Sequence, residues 1–152
     1  MNTQTEPITM WFDRRLVMRK SPIHGIGTFA THDIDAGELL MLVTGGLIVG
    51  VEDLQPERLQ LAADMYNQET LAEGVFILTP KLFHYYINHS CDPNAVDITR
   101  RANSTQYVAL RDIHANEEIT ADYYDETTLK VCLCKSPRCR WIQHKPTENA
   151  SH

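Results

Sequence analysis

The chain has 152 residues, enough for one domain with a real core, and at 43% hydrophobic and 22% charged it has an ordinary globular composition. A formal net charge of −6 counts against a duplex-DNA binder that works by phosphate neutralisation and suits a basic partner such as a Lys/Arg-rich peptide. The opening "MNTQTEPITMWFDRR" lacks the apolar run of a signal peptide, and "ELLMLVTGGLIVGV" is too short and too Gly-broken to span a bilayer, so a soluble intracellular protein is expected.

In chain order, residues 1–10 are polar and expected to be loose. "RLVMRK" and "GTFA" read as strands around the turn "SPIHGIG". "GELLMLV" and "GLIVGV" flank Gly45-Gly46, which reads as a hairpin turn. In "DLQPERLQLAADMYNQ", Leu59, Ala62, Ala63 and Tyr66 recur at helical spacing, and Pro56 suits a first turn, so an amphipathic helix packed on a sheet is expected. "NAVDITR", "TQYVALRDI" and "EEITADYY" are further strand candidates, and the tail "HKPTENASH" is expected to be loose. Many short strands with one or two short helices predict a mainly β, α+β domain.

Four short segments carry chemistry. "INHSCDPNA", residues 87 to 95, packs a His, a Cys, two Asn and a Pro into one stretch, more than a turn requires. In "CLCKSPRC", Cys132, Cys134 and Cys139 form C-x-C-x4-C. Three thiolates that close can converge on Zn²⁺, which takes four ligands in a tetrahedron, and Cys91 is the one cysteine left to complete the set. The alternative is ordinary buried or redox-active thiols; in a reducing compartment disulfides are disfavoured. In "HGIGTFA", Gly25-x-Gly27 lets the backbone approach a ligand closely, or simply turns. It is not a dinucleotide fingerprint, because the third Gly and the following helix are missing. In "EEITADYYDE", Tyr123 and Tyr124 follow a strand; a tyrosine there can serve chemistry, or can pack its ring and donate its hydroxyl to a carbonyl.

Taken together, Asn-His-Ser-Cys-x-Pro-Asn, then Glu-x-x-x-Asp-Tyr (118 to 123), then C-x-C-x4-C resembles the SET-domain protein lysine methyltransferases with their post-SET zinc segment. The matches run in order from about residue 15 to 142. The resemblance implies a SET fold, β-clip-like, of small sheets around a knot-like core threaded by the Asn-His-Ser-Cys segment. It divides the chain into an N-terminal flank (1–14), a SET domain (15–127, with an insert near 50–80), a post-SET zinc segment (128–143) and a tail (144–152). It also implies S-adenosylmethionine held by His24, Gly25, Ile26, Gly27, Asn88 and His89, with Trp141 over the adenine. One structural Zn²⁺ is expected on Cys91, Cys132, Cys134 and Cys139, and Tyr123 is expected to be catalytic. The implied activity is methyl transfer to a lysine of a basic protein such as a histone, in the cytoplasm if bacterial, or in a nucleus or a host if histones are the target. No direct nucleic-acid or membrane binding is expected. The alternative is a catalytically silent SET-like peptide-binding module. The chain departs from the family pattern at Tyr85-Tyr86-Ile87, where Arg commonly stands first, at Ala121, where many members carry Phe or Tyr, and at Trp141, where Gly is usual.

Overall fold

The computed structural model describes residues 5–50, 65–99, 104–123 and 131–140. Ten strands are seen among them: β1 (Thr5–Phe12), β2 (Leu16–Lys20), β3 (Ile26–Ala30), β4 (Leu39–Gly50), β5 (Tyr66–Ala72), β6 (Val75–Pro80), β7 (Asn88–His89), β8 (Ala95–Asp97), β9 (Ser104–Ala109) and β10 (Thr120–Ala121). A 3-10 turn, Phe83–Tyr86, leads into β7. No helix of the described residues is long and apolar enough to cross a membrane. The expected mainly β fold is what the chain adopts.

The largest sheet runs β5-β6-β4-β9-β8, with β1 paired to β4 as well. β2 and β3 form an antiparallel ribbon, joined through the "SPIHGIG" turn. β7 and β10 form a short parallel pair, Asn88 opposite Thr120 and His89 opposite Ala121. Two-residue strands survive here because both members are buried and the pairing is extended by the Ser90 amide donating to the Ala121 carbonyl at 2.9 Å.

Two expectations give way, and a third does so in its last three residues. Residues 5–10 are not loose: they lie in β1 against β4. Gly45-Gly46 is not a hairpin turn, because β4 continues through it. Leu39–Thr44 pairs with β9 and Leu47–Gly50 with β6. The glycines let the strand change partners: Gly45 has φ 77°, and a Cβ on Gly46 would come within 2.6 Å of Ile77 on β6. Alternating apolar residues flanking Gly-Gly fit a turn and such a close crossing equally well. The hairpin instead falls at Glu73-Gly74, with Gly74 at φ 69°, between β5 and β6. Residues 53–64 of the expected helix lie outside the described residues and Met65 is helical, but Tyr66, Asn67 and Gln68 at its end belong to β5, paired with Pro80, Thr79 and Leu78. Pairing with β6 overrides the helical spacing there.

The core joins Leu16, Ala30, Ile34, Leu40, Met41, Ile87, Ala95, Ala109, Ile113, Ile119 and Ala121, with Phe12, Phe83 and Tyr107 against it. Ile119 is fully buried and its amide donates to the Thr28 carbonyl at 2.7 Å. Burial of such a side chain contributes about 1.5–3 kcal/mol. Its effect on position is as important as its stability: it fixes Glu118 and Thr120 on either side, next to β3 and β7.

Candidate active site

β7 is the centre of the site, and its two residues look in different directions. The Asn88 side-chain amide donates to the carbonyls of His24 (3.1 Å) and Ile26 (3.2 Å) and to Glu118 Oε1 (2.7 Å). It thereby holds the Gly-x-Gly loop on to the start of β10. Glu118 is held from its other oxygen by Ser21 Oγ at 2.9 Å. Gly27 is required by contact: a Cβ there would sit 2.1 Å from Glu118 Oε1. Gly25 is required by conformation, with φ 49° and nothing within 4 Å of where a Cβ would stand. His24, Gly25 and Ile26 are exposed, so the loop is a ledge of accessible backbone above buried Asn88.

His89 is buried and receives the Tyr123 backbone N–H on Nδ1 at 3.3 Å. Burial holds the ring below its ordinary pKa, against the pull of Asp122. A neutral ring that accepts on Nδ1 carries its proton on Nε2, which faces Cys91 Sγ at 3.3 Å. Tyr123 packs its ring 5.3 Å from that of His89 and donates its hydroxyl to the Ile87 carbonyl at 2.7 Å. Tyr123 is 38% exposed, yet desolvation where its ring packs, reinforced by Tyr85 and Glu118, pushes the phenol pKa up, so the hydroxyl stays protonated at neutral pH and keeps lone pairs to offer.

Tyr123 lines a cavity of about 240 Å³ with His84, Tyr85, Tyr107, Asn67 and Asp97. At about 30 Å³ per water this volume takes roughly eight waters, or a slender side chain. The Lys81 ammonium stands 4.3 Å from the Tyr85 ring centroid.

The four cysteines meet. Their sulfurs all lie within 4.8 Å of one another, with Cys91 3.8 Å from Cys132 and 4.0 Å from Cys139. Zn–S bonds of about 2.3 Å at tetrahedral angles put sulfurs about 3.8 Å apart, so the set fits Zn²⁺. All four are free thiols. Burial raises the Cys91 and Cys132 pKa values; Cys134 is partly buried too, but backbone amides of Cys91 and Ser136 bring it to about 7. The segment is fastened a second time by Arg140, whose Nη2 donates to Asp122 Oδ1 at 2.9 Å, one residue before Tyr123.

Of the residues singled out from sequence, the structure brings together Gly25, Ile26, Gly27, His24, Asn88 and His89 on one side of β7 and β10. It places Tyr123 at the end of the pair and gathers Cys91, Cys132, Cys134 and Cys139 beside it. Trp141 and Tyr124 lie outside the described residues. Asn94, His84, Tyr107 and Arg140 were not read from the sequence. Asn94 is 1% exposed; its Nδ2 donates to Glu117 Oε1 and the Glu118 carbonyl, and its Oδ1 receives the Thr120 amide. "DPN" looks like turn chemistry, and only the fold reveals that its Asn braces β10. The signal for His84 was a polar residue amid "LFHYYI", which local pattern cannot separate from a surface position.

Comparison with known proteins agrees with this geometry. The SET domain family profile matches residues 25–124, from the glycine loop to the tyrosine pair. A variant-silencing SET domain-containing protein of Plasmodium falciparum (isolate 3D7) is 34% identical over 148 residues, covering 88% of this chain and 6% of that protein. The histone-lysine N-methyltransferase TRX1 of Oryza sativa subsp. japonica is 31% identical over 141 residues, covering 86% of this chain and 14% of that protein. The chain thus spans a small part of the length of these relatives. Among solved structures, a humanized mutant of the Chaetomium thermophilum Polycomb Repressive Complex 2 aligns over 72% of this chain and 15% of that one, at TM-score 0.52 and 26% identity. A glycine ledge tied to an Asn-His strand, a tyrosine closing a cavity beside it and a profile match over two thirds of the length lead to one assignment: the chain belongs to the SET-domain family.

Proposed function

We propose that the chain is an S-adenosylmethionine-dependent protein-lysine N-methyltransferase acting on a lysine of a basic protein or peptide, such as a histone. The observation that carries this reading is the division of labour around β7: Asn88 holds the exposed glycine ledge, while the Ile87 carbonyl, one residue earlier, fixes the Tyr123 hydroxyl at a cavity. A cofactor site and a side-chain cavity therefore adjoin through one short strand. The relatives' names as histone-lysine N-methyltransferases, and the net charge of −6, support a basic substrate.

Adenosylmethionine, when bound, supplies an activated methyl group. The backbone of His24 to Gly27, with Asn88 and His89, would hold it, and Trp141 would cover it. The rest is done by the chain. A substrate lysine has a pKa of about 10.4, so presenting it neutral at pH 7 costs roughly 4–5 kcal/mol in water. The Tyr85, Tyr107 and Tyr123 rings on the cavity wall disfavour the ammonium and lower that cost, while the Asp97 carboxylate in the same lining works in the other direction. The Tyr123 oxygen, its proton committed to Ile87, accepts from the amine and aims its lone pair. Alignment of nucleophile and methyl then supplies much of the rate. Cys91, Cys132, Cys134 and Cys139 would hold one structural Zn²⁺ and so keep the C-terminal segment against His89 and Asp122.

The test is mass spectrometry of histones and basic peptides after incubation with zinc-loaded protein and labelled adenosylmethionine. Label is expected on lysine side chains. A protein that binds adenosylmethionine yet labels none of them would be the silent binding module instead.

A further inference from the structure

The cavity at Tyr123 is walled by tyrosine rings, and its described lining holds one carboxylate, that of half-buried Asp97. Strand pairing sets the direction of this side chain. Asp97 on β8 stands opposite Tyr107 on β9, and directly opposed residues of an antiparallel pair present their side chains to one face of the sheet. Thr105, two residues before Tyr107, shares that face, and all three line the cavity. The two carboxylate oxygens are used differently. Oδ1 receives the amides of Thr99 at 2.9 Å and Gln106 at 3.1 Å, and the Thr99 hydroxyl as well. Oδ2 receives no hydrogen bond among the described residues. It is not sealed in: among those residues the enclosed polar atoms without a partner belong to His84 and Arg140, so Asp97 Oδ2 is open to solvent. No cation pairs with it among the described residues either; the Lys81 ammonium beside the cavity lies over the Tyr85 ring. Apolar walls focus the field of such a charge and draw a cation to it.

We propose that Asp97 is a specificity-determining residue whose carboxylate selects a protonated lysine side chain for the Tyr123 cavity. This rests on the lysine methyltransferase reading. With a pKa of about 10.4 in water, a substrate lysine arrives as an ammonium. That head offers three N–H donors, enough for the Tyr123 oxygen and Asp97 Oδ2 together. A neutral side chain of similar length offers no charge to the carboxylate and leaves it unpaired. For transfer, one proton passes from the nitrogen to water. The N–C bond then forms as the sulfonium S–C bond breaks, the bonding pair returning to sulfur. Asp97 favours the charged form, so it strengthens capture of the lysine and adds nothing to the transfer step.

The test takes a histone-derived peptide that the chain labels and a copy with norleucine at the labelled position, which ends where the ammonium would begin. Both are titrated calorimetrically at neutral pH into the zinc-loaded full chain with adenosylhomocysteine, which has no methyl to give. The parent is expected to bind the lysine peptide at least about tenfold more tightly than the norleucine peptide, as a close charge pair in a cavity should. Asp97→Asn keeps Oδ1 as acceptor for the Thr99 and Gln106 amides and removes only the charge, and should bring the two peptides within about threefold. Adenosylhomocysteine affinity should stay within about threefold in both proteins. With adenosylmethionine, Asp97→Asn should raise KM at least about tenfold without lowering kcat. If Asp97→Asn fails to fold, Asp97→Ser, whose hydroxyl can accept the same amides, takes its place. A parent that binds norleucine as tightly as lysine, a folded variant that keeps the discrimination, or a fall in kcat at unchanged KM overturns the assignment. If the parent labels no peptide at all, the methyltransferase reading fails and this proposal with it.

Discussion

Gly27→Ala puts one methyl group where the structure has no room for it. The new Cβ would stand 2.1 Å from Glu118 Oε1, 2.7 Å from its Cδ and 3.1 Å from Ser21 Cβ. Gly27 is not among the positive-φ residues, so alanine suits the backbone and the conflict is steric alone. Glu118 is a flexible side chain, but it is pinned by Asn88 Nδ2 at 2.7 Å and Ser21 Oγ at 2.9 Å. Swinging the carboxylate away breaks both bonds, each worth about 1.5–3 kcal/mol because the acceptor is charged. The lower chain entropy of an unfolded alanine offsets about 0.4–1 kcal/mol. The net expectation is a destabilisation of about 2–5 kcal/mol, measured by urea unfolding. Adenosylmethionine affinity, measured by calorimetry, should fall at least about tenfold, because Asn88 loses the partner that orients it on the ledge. The mechanism makes a sharper demand. In Gly27→Ala/Glu118→Ala the obstructing carboxylate is gone, so the double variant should be no less stable than Glu118→Ala alone. Additive effects, or a Gly27→Ala protein within about 0.5 kcal/mol of the parent, would refute the steric account.

Tyr123→Phe should lower turnover about 10²-fold or more with little change in cofactor affinity, as loss of one positioned polar group does, whereas Tyr124→Phe should stay within a few-fold; the reverse order would mean that the register is misread. Asn88→Ala should cut adenosylmethionine affinity at least about tenfold in a calorimetric titration, because the ledge loses its tie to Glu118; unchanged affinity would make Asn88 a purely structural residue. Elemental analysis of protein purified without chelator should find one zinc per chain, and Cys139→Ser should lower Tm by at least about 5 °C and weaken cofactor binding; a metal-free sample that is folded and active would remove the metal from the account. His84 has a folded pKa of about 4 against an ordinary 6.5, so between these values the unfolded chain binds more protons and stability falls as pH drops. That loss should reach about 3 kcal/mol by pH 4 and be absent in His84→Phe, as read by urea midpoints across the window.

What the sequence by itself determined is the chemistry that depends on residue type at short range. C-x-C-x4-C with one further cysteine offers four thiol ligands by residue type, and the fold then brings their sulfurs within 4.8 Å of one another. Asn-His-Ser-Cys-x-Pro-Asn and Glu-x-x-x-Asp-Tyr identify the family because each carries several unusual residues at set spacing. "RLVMRK" and "GTFA" read as strands around the turn "SPIHGIG", and the structure pairs them antiparallel as β2 and β3. Tertiary structure decided whatever rests on contact between distant segments. Gly45-Gly46 could turn or cross, and the approach of Ile77 made it a crossing. Tyr66 to Gln68 could wind or extend, and pairing with β6 extended them. Asn94 reads as a turn residue until Thr120, 26 residues later, is seen to donate to it. His84 is an unremarked polar letter in the sequence, and only the fold shows that it is buried in the lining of a cavity with no hydrogen-bond partner among the described residues. In each case the deciding energy is a close approach or a desolvated hydrogen bond between residues far apart in the chain, which periodicity and propensity do not encode.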